Sequence, residues 1–538
     1  MMQKRGSGGQ RRGSGWQRVM SSESERVSDR DAQTYNISAA RSVAEAVKAT
    51  LGPTGLDKLL VDSSGGLVVT NDGERILRSM EIANPTARLI ADVAEAQADA
   101  VGDGTTSGVV LAGELLGNAG DLLDRGVHPQ SILEGFTAAR RTVGTELPDL
   151  GTPVDAGDTE LLRSVAETAL TGSLSDGHRR YLATLVVEAV QRTATDRGLQ
   201  LDFVDIETES GDAISDSELF EGAIYDRKLL HREMPAELPN ARVLFLKGEA
   251  TLEPKIPGDE RDFTFKLETP EDRQSLYDLE DDHRFANLDS ITAADVNCVF
   301  CEKGIDSDSQ QYLADADILA VRRIEPTDLE FFQRVLGGTV LTHLDDVDES
   351  DVGTGTIRRD PDGERMYITG DGGDAVTLFV RAPTEMIAEE LERSLTDALR
   401  AVERALVDGA VVPGAGATEV ALARRIRSTA TATNGRAQLA VEAVADAIEA
   451  LPKTIVANSG GDGIDVLVAL RAAHSDGESR TGWDARRDEP VDAVEAGIVE
   501  SLSVKRQAID SAIEAASLVL RIDDIVAATD LEKIPDEN

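Results

Sequence analysis

Helical periodicity runs through both ends of this chain and breaks off in the middle, and that interruption limits how the fold can be organised. From Asn36 to Leu51 the apolar positions Ile37, Ala40, Ala44, Val47 and Leu51 recur at three- and four-residue steps. Such a stripe predicts an amphipathic helix, with Asn36 as its N-cap and Gly52-Pro53 as its stop. Two short strands, 58–61 and 67–70, flank a Ser-Ser-Gly-Gly turn and read as a hairpin, and Asn71-Asp72-Gly73 forms a second turn. Helices are expected over 87–101, 105–116, 129–147, 159–168 and 180–194, and again over 384–407, 505–520 and 521–528. Between Gly222 and Thr369, short apolar strands (243–246, 299–301, 318–321) alternate with helices, the pattern of an inserted α/β module. The layout is therefore nested. A helical domain is built from both chain ends, a connector from two pieces, and a mixed domain from the centre.

At 538 residues the chain exceeds the size at which one hydrophobic core keeps growing. Its 55 Lys and Arg face 99 Asp and Glu, a formal net charge of -44. Such a field repels free DNA or RNA, and basic residues cluster only in the first twenty positions. Eleven of the 55 basic residues are Lys. Excess carboxylate with Arg favoured over Lys suits concentrated salt, where the Debye length falls to roughly 3 Å near 1 M. Two cysteines, Cys298 and Cys301, exclude a disulfide-built fold. Residues i and i+3 on a strand point to opposite faces, so this pair reads as core packing and not as a metal or redox site. No run of eighteen apolar residues occurs, so no membrane span is expected. Residues 1–19 carry no apolar signal-peptide core and read as a disordered tail, and the chain as cytoplasmic.

Gly102-Asp103-Gly104-Thr105-Thr106-Ser107 sits between two expected helices. Glycines let a backbone approach phosphate, helix N-terminal N–H groups attract anions, and Asp103 offers a hard oxygen to Mg²⁺. Taken alone, the same string also suits an ordinary capped turn between helices. The segment 249–295 holds many charges and few large apolar residues, so it should project from the body, as a lid or as an acidic insertion.

Several ordered strings together resemble the group II chaperonins, the archaeal thermosomes and their eukaryotic cytosolic relatives. They are 31–36 (DAQTYN), 50–55 (TLGPTG), 61–73 (VDSSGGLVVTNDG), 102–107 (GDGTTS), 303–306 (KGID), 320–330 (AVRRIEPTDLE), 408–423 (DGAVVPGAGATEVALA) and 504–528. The resemblance covers nearly all of the chain after residue 19. It implies a multidomain α/β fold. A mostly helical equatorial ATP-binding domain would comprise 20–150 and 408–538, and a small α/β intermediate domain 151–221 and 374–407. A mixed α/β apical client-binding domain would comprise 222–373, with a helical lid protrusion at about 249–295. It implies an ATPase using ATP and Mg²⁺, unfolded proteins as clients, and identical or paralogous subunits in stacked rings of about eight or nine. Leu51, Gly52 and Pro53 match the loop on the α-phosphate side. Asp103 matches the Mg²⁺ ligand, and Gly104, Thr105, Thr106 and Ser107 match the phosphate cradle. Asp62 matches a carboxylate near the terminal phosphate, and Asp397 the carboxylate that positions the attacking water. Gly414 and Gly416 match the turn beside the ribose, while Asp484 and Glu500 match positions near adenine and ribose. Periodicity alone would place Asp397 on the solvated side of a long helix, with Leu391, Leu395, Ala398, Leu399 and Val402 as its apolar stripe.

The chain departs from the family pattern at several points. Ser173 follows Thr171-Gly172 where a Lys is usual, and Arg273-Gln274 stand in the lid helix where apolar residues are usual. A divergent subunit that still hydrolyses ATP is one reading, and a weakly hydrolysing regulatory or structural subunit of a mixed ring is the other. A metabolic kinase is disfavoured, because no Walker-type phosphate loop or dinucleotide-binding glycine set is present.

Overall fold

The computed structural model describes residues 26–28, 30–61, 66–170, 172, 174–194, 201–248, 250, 252, 286–344, 347–360, 364–373, 375–522 and 524–526. The 1–19 tail, Asp62, Ser173, Arg273, Gln274 and most of the 249–295 segment lie outside the described residues. The chain divides into two compact units, the first made of Met1–Gly151, Pro413–Ala496 and Ser503–Asn538, the second of Thr152–Val412 and Gly497–Leu502.

The first unit is predominantly helical. Its centre is the helix Thr105–Asp124, whose Val109, Leu111, Leu115 and Leu116 are fully buried. Each such side chain contributes roughly 1.5–3 kcal/mol relative to exposure. The helix Arg30–Lys48 packs against it so closely that a Cβ on Gly113 would lie 2.3 Å from the Ala44 Cβ. Asn36 is therefore not the N-cap expected above. The helix begins at Arg30, because nothing in the six residues before Asn36 breaks it, and Asn36 is buried, its Oδ1 accepting from Thr86 Oγ1 at 2.8 Å. The hairpin Lys58–Val61/Leu67–Thr70 forms as expected, with Lys58 opposite Thr70 and Val61 opposite Leu67. The last helix, Leu502–Arg521, ends at the first residue of the 521–528 stretch expected to be helical. There Asp524–Val526 instead pairs antiparallel with Arg26–Ser28, in keeping with the β-branched Ile525 and Val526.

The second unit contains, among the described residues, a seven-stranded mixed sheet. Leu319–Val321, Cys298–Cys301 and Leu238–Leu246 run parallel, and Gly353–Arg359, Arg365–Gly370 and Ala223–Asp226 continue it antiparallel. Cys298 and Cys301 are buried in the core strand, neither of them in a disulfide, and burial pushes the Cys298 thiol well up. A three-stranded sheet pairs Val204–Ser210 in parallel with Val376–Ala382, which also pairs antiparallel with Glu218–Glu221. The helix Glu385–Asp408 starts at Thr384, whose side chain accepts from Ile387 N at 3.3 Å, and it buries the expected stripe Leu391, Leu395, Ala398, Leu399 and Val402. The chain is thus mixed α/β with a helical first unit, as its periodicity indicates.

Candidate functional site

In the first unit the helix Pro85–Val101 ends on Gly102 in the left-handed conformation, Asp103 follows, and Gly104 opens the helix Thr105–Asp124. Gly104 has φ +75°, and a Cβ there would lie 3.0 Å from Val504 Cγ1 and 3.1 Å from Gln97 Nε2. Only glycine meets both demands. Having no side chain, Gly104 supplies no cap to the helix start, whose N–H groups at Thr105, Thr106 and Ser107 point out of the helix end and suit an anion. Gln97 Nε2 donates to Asp103 O at 2.7 Å and to Val504 O at 3.2 Å, so one amide ties the Asp103 turn to the last helix of the unit.

Asp103 Oδ1 accepts from Gly104 N at 2.5 Å. Burial raises its carboxyl above the ordinary value and the Asp72 charge adds to that, while the Gly104 N–H and the Lys505 ammonium oppose it. Asp72, Asp103 and Lys505 therefore share one locale. Asp72 caps the helix Gly73–Ser79 by accepting from Glu74 N at 2.9 Å, and a Cβ on Gly73 would fall 2.4 Å from Thr106 Oγ1. Lys505 Nζ lies 2.5 Å from Oε1 of Glu419, whose side chain is 5% exposed.

Glu419 belongs to the helix Ala417–Ala430, which starts at Gly416 with φ +80°, again without a side-chain cap. The preceding turn, Gly414-Ala415-Gly416, receives Trp483 N on Ala415 O at 2.9 Å and packs against Gly482. That contact sets Asp484, whose Oδ1 accepts from Arg486 N at 3.0 Å and Arg487 N at 3.3 Å. A Cβ on Gly416 would lie 2.6 Å from Pro452 Cβ, and one on Gly52 would lie 3.0 Å from Ile455 Cγ2. Pro452 and Ile455 are three residues apart on the helix Ala450–Asn458, so this helix supports both loops. Asn458 Nδ2 fastens the first of them, donating to Lys48 O at 2.9 Å and Leu51 O at 2.8 Å just before Pro53.

Leu51, Gly52, Pro53, Asp103 to Ser107, Gly414, Gly416 and Asp484 are thus linked by one chain of contacts within the first unit. Asp397 and Glu500 belong to the second unit. Asp397 is half-buried on the helix Glu385–Asp408. Glu500 sits in the strand Val499–Ser501, where Ser501 Oγ donates to Asp408 Oδ2 at 3.0 Å. Sequence reasoning missed Asp72, Lys505 and Glu419. Asp72 was legible only as a turn residue. Lys505 carried a weak signal, as one of eleven Lys in a chain that otherwise favours Arg.

Among the described residues no group of three or more His, Cys, Asp and Glu side chains forms a metal cage. Two neighbouring carboxylates nonetheless suit Mg²⁺, which takes one or two from protein and the rest from phosphate and water. Asp103 and Asp72 fit such an ion.

The model of the TCP-1/cpn60 chaperonin family matches residues 43–530. The chain belongs to that family. Thermosome subunit 2 of Haloferax volcanii is 45% identical over 97% of this chain and 94% of its own length. Thermosome subunit beta of Halobacterium salinarum is 44% identical over 95% and 93%, and a thermosome subunit of Methanopyrus kandleri 42% identical over 95% and 94%. This chaperonin is accordingly an ATPase of the thermosome type, and the Haloferax and Halobacterium relatives accord with its acidic, Lys-poor composition. Among the described residues no helix of this chaperonin is long and apolar enough to cross a membrane.

Proposed function

We propose that this chaperonin subunit binds, encloses and releases unfolded proteins in a cytoplasmic double ring with a built-in lid, driven by Mg-ATP hydrolysis. The observation that carries the reading is Asp103, set beside Asp72 and Lys505 at the uncapped start of the Thr105–Asp124 helix. Phosphoryl transfer to water needs charge neutralisation and an aligned nucleophile more than covalent help. The N–H groups of Thr105 to Ser107 would receive phosphate oxygens, with Leu51, Gly52 and Pro53 closing on the α-phosphate side. Asp103, with Asp72, would hold Mg²⁺, which when bound neutralises phosphate charge. Gly414, Gly416, Asp484 and Glu500 would frame the nucleoside. Asp397 would orient the attacking water, with Asp62 near the terminal phosphate. The equatorial, intermediate and apical division, with 249–295 as the lid, belongs to the same proposal.

Hydrolysis by the purified protein in molar KCl tests it directly. Mg-ATP turnover should be abolished by Asp103→Ala and by Asp397→Ala, and electron micrographs should show stacked rings. Turnover unchanged in both variants would end this reading. The second reading, a weakly hydrolysing subunit of a mixed ring, is favoured by Ser173 in place of the family Lys. The salt-loving relatives also occur as more than one kind of subunit, alpha and beta in Halobacterium and 1 and 2 in Haloferax. Rings that form only when a paralogue is added, with little turnover alone, would select it.

A further inference from the structure

Asp103 belongs to neither of the helices beside it. Gly102 closes one at φ +73° and Gly104 opens the next at φ +75°, both in the left-handed conformation. A side chain holds the residue between them. Gln97, near the end of the helix Pro85–Val101, is fully buried, and its Nε2 donates to Asp103 O at 2.7 Å and to Val504 O at 3.2 Å. An amide nitrogen carries two hydrogens, and both are used here. The flipped amide would set Oε1 against two carbonyl oxygens, so the acceptors fix its orientation. Gln97 Oε1 is buried and, among the described residues, accepts no hydrogen bond. A buried acceptor without a donor disfavours folding, so packing alone would be served as well by an apolar side chain of the same length. What the amide adds is the placement of two main-chain segments. The far one is itself anchored. Val504 is 2% exposed and lies against Gly104, and Lys505 beside it is paired with Glu419.

We propose that Gln97 is the positioning residue of Asp103: it fixes the turn on the Val504–Lys505 segment, so that the carboxylate can move from Gly104 N to a metal ion while its main chain stays in place. The inference rests on reading Asp103 as a Mg²⁺ ligand. In the structure the carboxylate folds back on its neighbour, Oδ1 accepting from Gly104 N at 2.5 Å. Binding a cation through that oxygen requires the side chain to rotate. The flanking glycines are permissive enough to let the whole turn follow that rotation. The Gln97 bond to Asp103 O opposes it, and the bond to Val504 O gives the amide a fixed base. Outer contacts of this kind orient a metal ligand, and their loss typically costs about 10–100-fold in metal affinity.

Gln97→Met, unbranched and without donors, and Gln97→Asn, whose amide is drawn back by one methylene, test this in the intact protein in molar KCl. Calorimetry with ADP measures binding with Mg²⁺ and with EDTA, and hydrogen exchange of the nucleotide-free protein reads the turn. In Gln97→Met, affinity for Mg-ADP should fall at least about tenfold, while affinity for ADP in EDTA should change by less than about twofold. Exchange of peptides covering 102–108 should quicken about tenfold, the effect of one or two ordinary hydrogen bonds, and the helix Pro129–Glu146 of the same unit should keep its protection. Gln97→Asn should fall between wild type and Gln97→Met in both measurements. Asn118→Ala removes a comparable bond, from Asn118 Nδ2 to Ala443 O at 2.9 Å, and should leave Mg-ADP affinity as in wild type. Equal loss of ADP affinity with and without Mg²⁺, or exchange quickened evenly across the unit, would make Gln97 a packing residue and overturn the inference. Wild-type affinity and exchange in Gln97→Met would overturn it too. Wild-type protein that binds no Mg-ADP would instead end the functional reading above, with the exchange comparison still deciding whether Gln97 holds the turn.

Discussion

Gly416 and Gly435 separate two costs of adding a methyl group, because their backbones are alike and their surroundings are not. Gly416 has φ +80° and Gly435 φ +70°, so Ala at either position would suffer about 1–2 kcal/mol of left-handed strain. At Gly435 nothing lies within 4 Å of the added Cβ, whereas at Gly416 it would be 2.6 Å from Pro452 Cβ. An ordinary carbon contact is about 3.5–4.0 Å, so the overlap approaches about 1 Å against a rigid, buried ring. Overpacking of that kind costs a further 1–3 kcal/mol, roughly. Gly435→Ala should therefore lose about 1–2 kcal/mol and Gly416→Ala about 2–5 kcal/mol. Denaturant midpoints in molar KCl measure both, and nucleotide titration measures the site. Nucleotide affinity should fall in Gly416→Ala, since the turn carrying Gly414 must move off Pro452, and should hold in Gly435→Ala. Equal losses of stability, or full nucleotide affinity in Gly416→Ala, would refute the idea that this close approach positions the turn.

Asp72→Asn keeps an effective helix cap and removes only the charge beside Asp103. It should cost under about 0.5 kcal/mol in stability but raise the Mg²⁺ concentration needed for hydrolysis by about tenfold or more, read from turnover against free Mg²⁺. Lys505→Met leaves the Glu419 carboxylate buried without its ammonium and should cost about 3–5 kcal/mol, most of it recovered by adding Glu419→Gln, as denaturation would show. Glu449 is buried, which pulls its carboxyl up. Hydrogen bonds from Arg427 and Arg471 outweigh that and hold it below the ordinary value. Its contribution is therefore present above the ordinary carboxylate range and lost as pH falls through its lowered value, and Glu449→Gln should flatten that acid limb of the stability profile. Cys298, buried and with its thiol pushed up, should resist thiol reagents until the second unit unfolds, a point that mass spectrometry of labelled protein checks.

Periodicity made most helices legible because they bury one face and expose the other. The stripe of Glu385–Asp408 and the hairpin at 58–70 appear where alternation places them. Asn36 misled because a polar residue before an apolar run imitates a cap, while the Thr86 hydroxyl that satisfies it comes from a segment 50 residues away. Residues 521–528 misled because helical spacing runs on past Arg521, and only pairing with Arg26–Ser28 at the other end of the chain makes a strand there. The Gly102 to Ser107 motif was readable, since its glycines serve local backbone needs. Asp72 and Lys505 were not, because what singles them out is their proximity to Asp103, across segments without regular spacing.

The first unit is stitched from three separated segments, and that has a consequence for biosynthesis. Val504, which packs on Gly104, and Lys505, which serves Glu419, leave the ribosome long after the segments they pack on. Residues up to Gly151 must wait while roughly 350 more are translated, about 20–70 s at 5–20 residues per second, before their partners from Ser503 onward exist. The second unit, continuous from Thr152 to Val412 except for one late strand, can condense during that interval. A chaperonin subunit thus emerges with its predominantly helical first unit the last part to close, exposed for that time to the hazards any unfinished chain faces.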